Sequence, residues 1–317
     1  MRLAILGAGA VGASVAELAP AYGHEVVAIA DSRGAAADPE GVDLEAALER
    51  KRAGDPIGPA DPEEALEVSC DVIVEATPTT LDDAEPGFTH CRRALEADRH
   101  LVLANKGPVA ERYEELRSLE ADSAGTCRFE ATVGGAIPIL SVIEDATPEA
   151  VEAVRGVLNG TANFILTRMA AEGIDYEHVL AEAQDLGVAE ADPTFDVDGT
   201  DAALKCVILA NVLADGGFSL EDADVTGIQD VPGSALELAA EDGRTIRLVG
   251  EATRDGVRVG PRLVPENGAL AVSGTRNIVE IETRHAGSLA SSGRGAGGPE
   301  TATAVLADVG RLPDPQN

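Results

Sequence analysis

The first dozen residues constrain this chain more than any other stretch. Arg2–Leu6 is a short apolar run of strand type. It ends at Gly7-Ala8-Gly9-Ala10-Val11-Gly12, and residues 10–19 have helical composition. A strand that feeds a helix through glycines at this spacing forms a dinucleotide-binding turn. Gly7 permits the tight bend, Gly9 lets the backbone approach a pyrophosphate, and Gly12 allows the helix to pack closely. The helix N-terminus opened by Ala10 and Val11 offers unpaired N–H groups and a positive dipole end to phosphate. In isolation the pattern would be an ordinary glycine turn; between a strand and a helix it points to a bound dinucleotide.

The same texture continues downstream. Residues 25–30, 71–75 and 100–104 are further strand-like runs, with helical stretches around 84–97 and 108–121 between them, and 128–133 reads as another short strand. Short β-rich runs alternating with helices imply a doubly wound parallel sheet, here over roughly the first 135 residues. After that the pattern changes. Residues 148–158, 162–172, 176–186 (closed by Gly187) and 198–214 read as helices, while 245–260 and 269–284 alternate in the manner of strands. Residues 287–298 read as a Gly/Ser loop and 301–312 as a final helix. The fold class expected is α/β, a Rossmann-type parallel sheet followed by a second, α+β domain.

Composition excludes several functions. Acidic residues number 56 against 24 Lys and Arg, a formal net charge of −32. Such a chain repels nucleic acid and anionic membranes. The acids are dispersed and form no tail, which suits a hydrated surface screened by high salt, as in the cytoplasm of a salt-accumulating cell. The four cysteines (Cys70, Cys91, Cys127, Cys206) show neither CxxC pairs nor metal-type spacing. No run approaches a membrane span, and the N-terminus shows no basic-then-apolar leader. The reading is a cytoplasmic enzyme acting on a small molecule, with neither a nucleic-acid nor a membrane partner.

Only three lysines occur, Lys51, Lys106 and Lys205. On a surface depleted of lysine, those that remain become candidates for chemistry. Asp31, ending the second strand, is placed to accept hydrogen bonds from an adenosine ribose, whereas Arg33 could hold a 2′-phosphate, so NAD and NADP both stay open. Thr77-Pro78 and Asn105-Lys106 follow strands, at the carboxyl edge where open α/β sheets bind ligands. Asp201 and Lys205 stand four apart and share one helix face. Such a pair is either a surface ion pair or an ammonium set to stabilise oxygen charge and move a proton.

The stretch from Ala183 to Lys205 decides between these. Its Ala183, Gly187, Asp192-Pro193, Asp196, Gly199, Asp201 and Lys205 fill every position of a long pattern that resembles the signature of homoserine dehydrogenases. Residues 105–106, 131–138, 158–165 and 293–298 with Thr301-Ala302 are similar to the same family. Departures are Ala162 for a usual Thr, Phe164 for a usual Tyr, and Pro299-Glu300 before the last helix.

The resemblance implies that Lys205 is the catalytic acid/base helped by Asp201, with Lys106 against cofactor and substrate. Glu190, Gly187 and Asp196 would contact the amino acid substrate. Thr77, Asn105 and Gly297 would join the glycine loop on NADP or NAD. Glu130 with the backbone of Val133, Gly135 and Ile137 would match a monovalent-cation site for Na+ or K+, chemically sensible for carbonyls and one carboxylate. Residues 1–136, completed by a C-terminal helix within 296–317, would form the cofactor domain. Residues 137–295 would form the catalytic and dimerisation domain of a homodimer. A regulatory extension is not expected. The rivals are another Rossmann dehydrogenase of amino acid derivatives, and a dinucleotide-binding redox sensor without turnover.

Overall fold

A computed structural model describes residues 1–313. The chain divides into two compact units. Met1–Ala136 and the segment from Ala296 onward form one, and Ile137–Gly295 forms the other.

The first unit is built on six strands: β1 (Arg2–Leu6), β2 (Glu25–Asp31), β3 (Gly34–Ala37), β4 (Val72–Glu75), β5 (His100–Leu103) and β6 (Cys127–Arg128). Their order is β3-β2-β1-β4-β5-β6. All neighbours are parallel except β3, which returns antiparallel on β2. Strands of such a sheet are covered on both faces, which is why β4 and β5 are buried along their whole length and read as near-continuous apolar runs. The strand order reverses at β1, between β2 and β4, and this opens a crevice at the carboxyl edge. The closing helix Gly298–Arg311 places Ala302, Val305, Leu306 and Val309 in the same buried cluster as Val15 and Ala16 of the helix Ala10–Leu18. Pro299 falls in the first turn of that closing helix, where a missing N–H costs nothing. Residues 314–317, part of the expected C-terminal segment, lie outside the described residues.

The second unit also carries six strands: β7 (Val151–Val157), β8 (Ala223–Val225), β9 (Arg244–Thr253), β10 (Gly256–Pro265), β11 (Arg276–Thr283) and β12 (Gly287–Arg294). Their order is β12-β11-β7-β9-β10-β8, antiparallel apart from β8 against β10. The helix Thr200–Ala214 packs on β9 and β10, with twelve of its fifteen residues buried. At about 1.5–3 kcal/mol for each fully buried Leu, Ile or Val, that burial makes the helix a fixed platform.

Three expectations are corrected. Residues 148–158 form one 3-10 turn, Pro148–Ala150, and then β7. Glu152 is exposed between buried Val151 and Ala153, and pairing to both β11 and β9 makes this a central strand. A short apolar run fits helix or strand alike, and long-range pairing decides. Residues 287–294 are not a loop but the edge strand β12, held by its full register against β11. The strand expected at 128–133 stops at Arg128, and Ala131–Gly134 is a helical turn ending at Gly135, whose φ is 56°.

Candidate active site

In the first unit a cavity of about 830 Å³ lies along the carboxyl edge of the sheet. Its lining includes Gly7, Gly9, Ala10 and Val11 of the glycine loop, Asp31, Ser32, Lys51 and Glu63, and Thr77, Thr79, His90 and Lys106. The glycines fit a dinucleotide for distinct reasons. A Cβ on Gly7 would stand 2.3 Å from the Ala76 carbonyl oxygen, and one on Gly12 would stand 1.8 Å from that of Gly7, so both are fixed by packing. A Cβ on Gly9 meets nothing within 4 Å. It would project into open space, where a pyrophosphate approaches the backbone.

The acid at the end of β2 is not alone. Asp31 accepts the Arg33 amide at 2.8 Å and a short hydrogen bond from Lys51 Nζ. Partial burial would raise its carboxyl, but the Lys51 hydrogen bond, the Arg33 amide and the charges of both residues outweigh this and hold it below the usual value. Arg33 itself turns to the carbonyls of Gly54 and Asp55, at 2.9 and 3.1 Å, and does not line the cavity. The cation beside Asp31 in the cavity wall is therefore Lys51, a residue with no motif to mark it.

Glu75, at the carboxyl end of β4, is fully buried. It accepts the Thr77 amide at 2.9 Å, a short bond from the Thr77 hydroxyl, the Asn105 amide group at 3.3 Å, and His90 Nδ1 at 2.6 Å. Asn105 also donates to Thr77 Oγ1 at 3.1 Å and accepts the Gly107 amide at 3.0 Å. One carboxylate thus ties together the loops after β4 and β5 that carry Thr77 and Lys106. Neither Glu75 nor His90 stands out in the sequence, since their pairing spans 15 residues and depends on how a helix lies over the sheet.

The second unit holds a separate polar cluster. Lys205 Nζ donates to Asp201 Oδ2 at 2.6 Å and to the Leu158 carbonyl at 2.7 Å. Both side chains are close to fully buried, 7% and 10% exposed, which removes the surface-pair reading. Asn159 donates to Asp201 Oδ2 at 2.9 Å and to Asp196 Oδ1 at 2.6 Å, while Asn277 donates to the Leu158 carbonyl at 2.9 Å. Glu190 and Gly187 lie on the exposed turn after the helix Tyr176–Asp185, where Gly187 has a φ of 68°. The neighbouring Cys206 thiol is pushed up to about 12 by burial, and burial likewise raises Cys70, Cys91 and Cys127. No cysteine offers a ready thiolate, which weighs against covalent aldehyde chemistry.

The model of the family described as homoserine dehydrogenase matches residues 138–309, and that of the glutamate/leucine/phenylalanine/valine dehydrogenases matches residues 1–85. A homoserine dehydrogenase of Methanocaldococcus jannaschii is 41% identical, covering 98% of this chain and 97% of its own. The chain belongs to the homoserine dehydrogenase family. The crystal structure of a putative homoserine dehydrogenase from Archaeoglobus fulgidus is 40% identical, with a TM-score of 0.90 over 98% of both chains. A hyperthermophilic archaeal homoserine dehydrogenase in complex with NADPH is 29% identical, with a TM-score of 0.83 over 97% of this chain and 96% of that one. An NAD(+)-dependent homoserine dehydrogenase of Pseudomonas canavaninivorans is 39% identical over 75% of this chain and 70% of its own.

The remaining residues implied by the homoserine dehydrogenase signature are placed as follows. Gly297 precedes the closing helix with a φ of 119°. Glu130 is 4% exposed, and its amide donates to Asp308 Oδ2 at 2.8 Å. Val133 is buried in the turn that follows, and Ile137 is 2% exposed in the second unit. Among the described residues no group of three His, Cys, Asp or Glu could hold a metal ion, and no helix is long and apolar enough to cross a membrane.

Proposed function

We propose that this chain interconverts L-aspartate 4-semialdehyde and L-homoserine with NAD(P)H. The observation that carries this is the buried Lys205 ammonium held between Asp201 and the Leu158 carbonyl. When bound, the dinucleotide supplies hydride to the aldehyde carbon. Lys205 gives its proton to the oxygen that becomes alkoxide, and recovers it in the reverse direction. Asp201 orients the ammonium and balances its charge in a site with little water. Glu190 and Asp196, as carboxylates, suit the α-ammonium group of the substrate, with Gly187 shaping the turn beside them. Lys106, which lines the dinucleotide cavity, would lie against cofactor and substrate.

The glycine loop, Thr77, Asn105 and Gly297 would hold the cofactor. The pairing of Asp31 with Lys51 offers an acceptor for ribose hydroxyls and a cation for a 2′-phosphate, so we read the site as open to NAD and NADP. A Na+ or K+ ion at Glu130 and the main chain of Val133, Gly135 and Ile137, and a homodimer formed through the second unit, complete the proposal.

The test is Lys205→Ala assayed with homoserine and each dinucleotide. The expected result is dinucleotide affinity like the parent's and a kcat lower by about 100-fold or more, the size of a general acid/base contribution. Parent-like turnover in that variant would remove Lys205 from the mechanism.

A further inference from the structure

Asn159 carries more than its sequence context suggests. Its carboxamide oxygen caps the helix Gly160–Glu172, accepting the Ala162 amide at 2.8 Å. Its amide nitrogen faces the other way and donates to two carboxylates at once, Asp196 at 2.6 Å and Asp201 at 2.9 Å. Asp201 Oδ2 is the same oxygen that accepts from Lys205. Asn159 is 5% exposed, so these bonds are not exchanged for water. The residue before it supplies the Leu158 carbonyl to Lys205 Nζ. Two consecutive residues, at the end of β7 and the start of a helix, therefore hold both partners of the ammonium.

We infer that Asn159 is a positioning residue for the proton-transfer pair: its amide clamps Asp196 and Asp201 and fixes the Asp201 oxygen that orients Lys205. Two carboxylates brought together without a donor between them repel, and the repulsion is strong where water is excluded. One neutral side chain with two N–H donors relieves it without competing with Lys205 for charge. Asn meets both requirements, an acceptor for the cap and donors for the acids. Asp and Ser meet only the first, although both cap helices about as well.

This difference supplies the experiment, which rests on Lys205 being the proton donor. Asn159→Asp and Asn159→Ser keep the cap and lose the clamp, and only Asn159→Asp adds a charge. Each is compared with the parent and with Lys205→Ala for melting temperature, NADPH affinity by fluorescence, and kcat against pH in the reductive direction, with the semialdehyde and NADPH, where Lys205 gives the proton. Both variants should bind NADPH as the parent does. Asn159→Ser should lose about 5-fold or more in kcat with its pH limbs unmoved. Asn159→Asp should lose about 10-fold or more, and its basic limb should move up by about one pH unit, because an added negative charge makes the neighbouring ammonium a weaker acid. If Asn159→Asp fails to fold, the kcat of Asn159→Ser decides. Parent-like kcat and pH limbs in the variants beside an inactive Lys205→Ala would overturn the inference, as would a kcat loss in Asn159→Asp with no movement of the limb. An active Lys205→Ala would instead overturn the reading on which it rests.

Discussion

Asp308 makes the protein's stability depend on pH in a direction unusual for a carboxylate. It lies on the closing helix, 2% exposed, and accepts the Glu130 amide at 2.8 Å and Arg311 Nη1 at 3.2 Å. Burial, with the charge of Glu130 adding to it, pushes its carboxyl from 3.8 up to about 6, although the Glu130 amide, Arg311 and Arg128 pull the other way. A folded-state value above the unfolded one means that the folded chain holds this proton more tightly. Stability from this group is therefore complete below the ordinary value and is lost as pH rises through about 6. The rise corresponds to about 3 kcal/mol at pH 8 and about 1.5 kcal/mol at pH 5. Asp308→Asn removes the charge and keeps an oxygen for the Glu130 amide. It gives up the Arg311 bond, a partly exposed contact worth about 1 kcal/mol or less. The expected net gain is about 2 kcal/mol at pH 8, roughly 3 °C in Tm for a chain of this length, shrinking to about 0.5 kcal/mol at pH 5. Thermal melts of both proteins between pH 5 and 8 at one fixed salt concentration measure it. A variant no more stable than the parent at pH 8, or one whose advantage is the same at every pH, would refute the reasoning.

Two further predictions follow from packing. Gly12→Ala drives a Cβ against the Gly7 carbonyl, so the loop must open; at about 1–3 kcal/mol for overpacking, NADPH affinity should fall at least 5-fold and Tm should drop, whereas Gly9→Ala should lose affinity with Tm unchanged. Equal effects of the two substitutions on Tm would show that the loop is not built as described. Native protein at pH 8 should expose at most one thiol to a maleimide, that of half-buried Cys70, with Cys91, Cys127 and Cys206 labelled only after denaturation; rapid labelling of a second cysteine would contradict their burial.

What could be read from the sequence is what depends on near neighbours. The glycine loop was legible because a strand, a bend and a helix start impose their demands within a dozen residues. The shared face of Asp201 and Lys205 was legible because four residues make about one helical turn. Long-range pairing was not. Residues 148–158 have an apolar run that suits a helix, and only β9 and β11 on either side make it a strand. β12 looks like a Gly/Ser loop until β11 supplies its partners. The site followed the same rule. Motifs named Gly7, Asp31, Asn105 and Lys205, but Lys51 on Asp31, His90 on Glu75 and Asn159 on Asp201 are contacts across 20, 15 and 42 residues. By itself, the sequence determined the glycine loop and the shared face of Asp201 and Lys205 and, through one long signature, the family. Tertiary structure alone decided which charges are buried and what each of them touches, because burial and hydrogen-bond partners are properties of packed surfaces, not of neighbours along the chain.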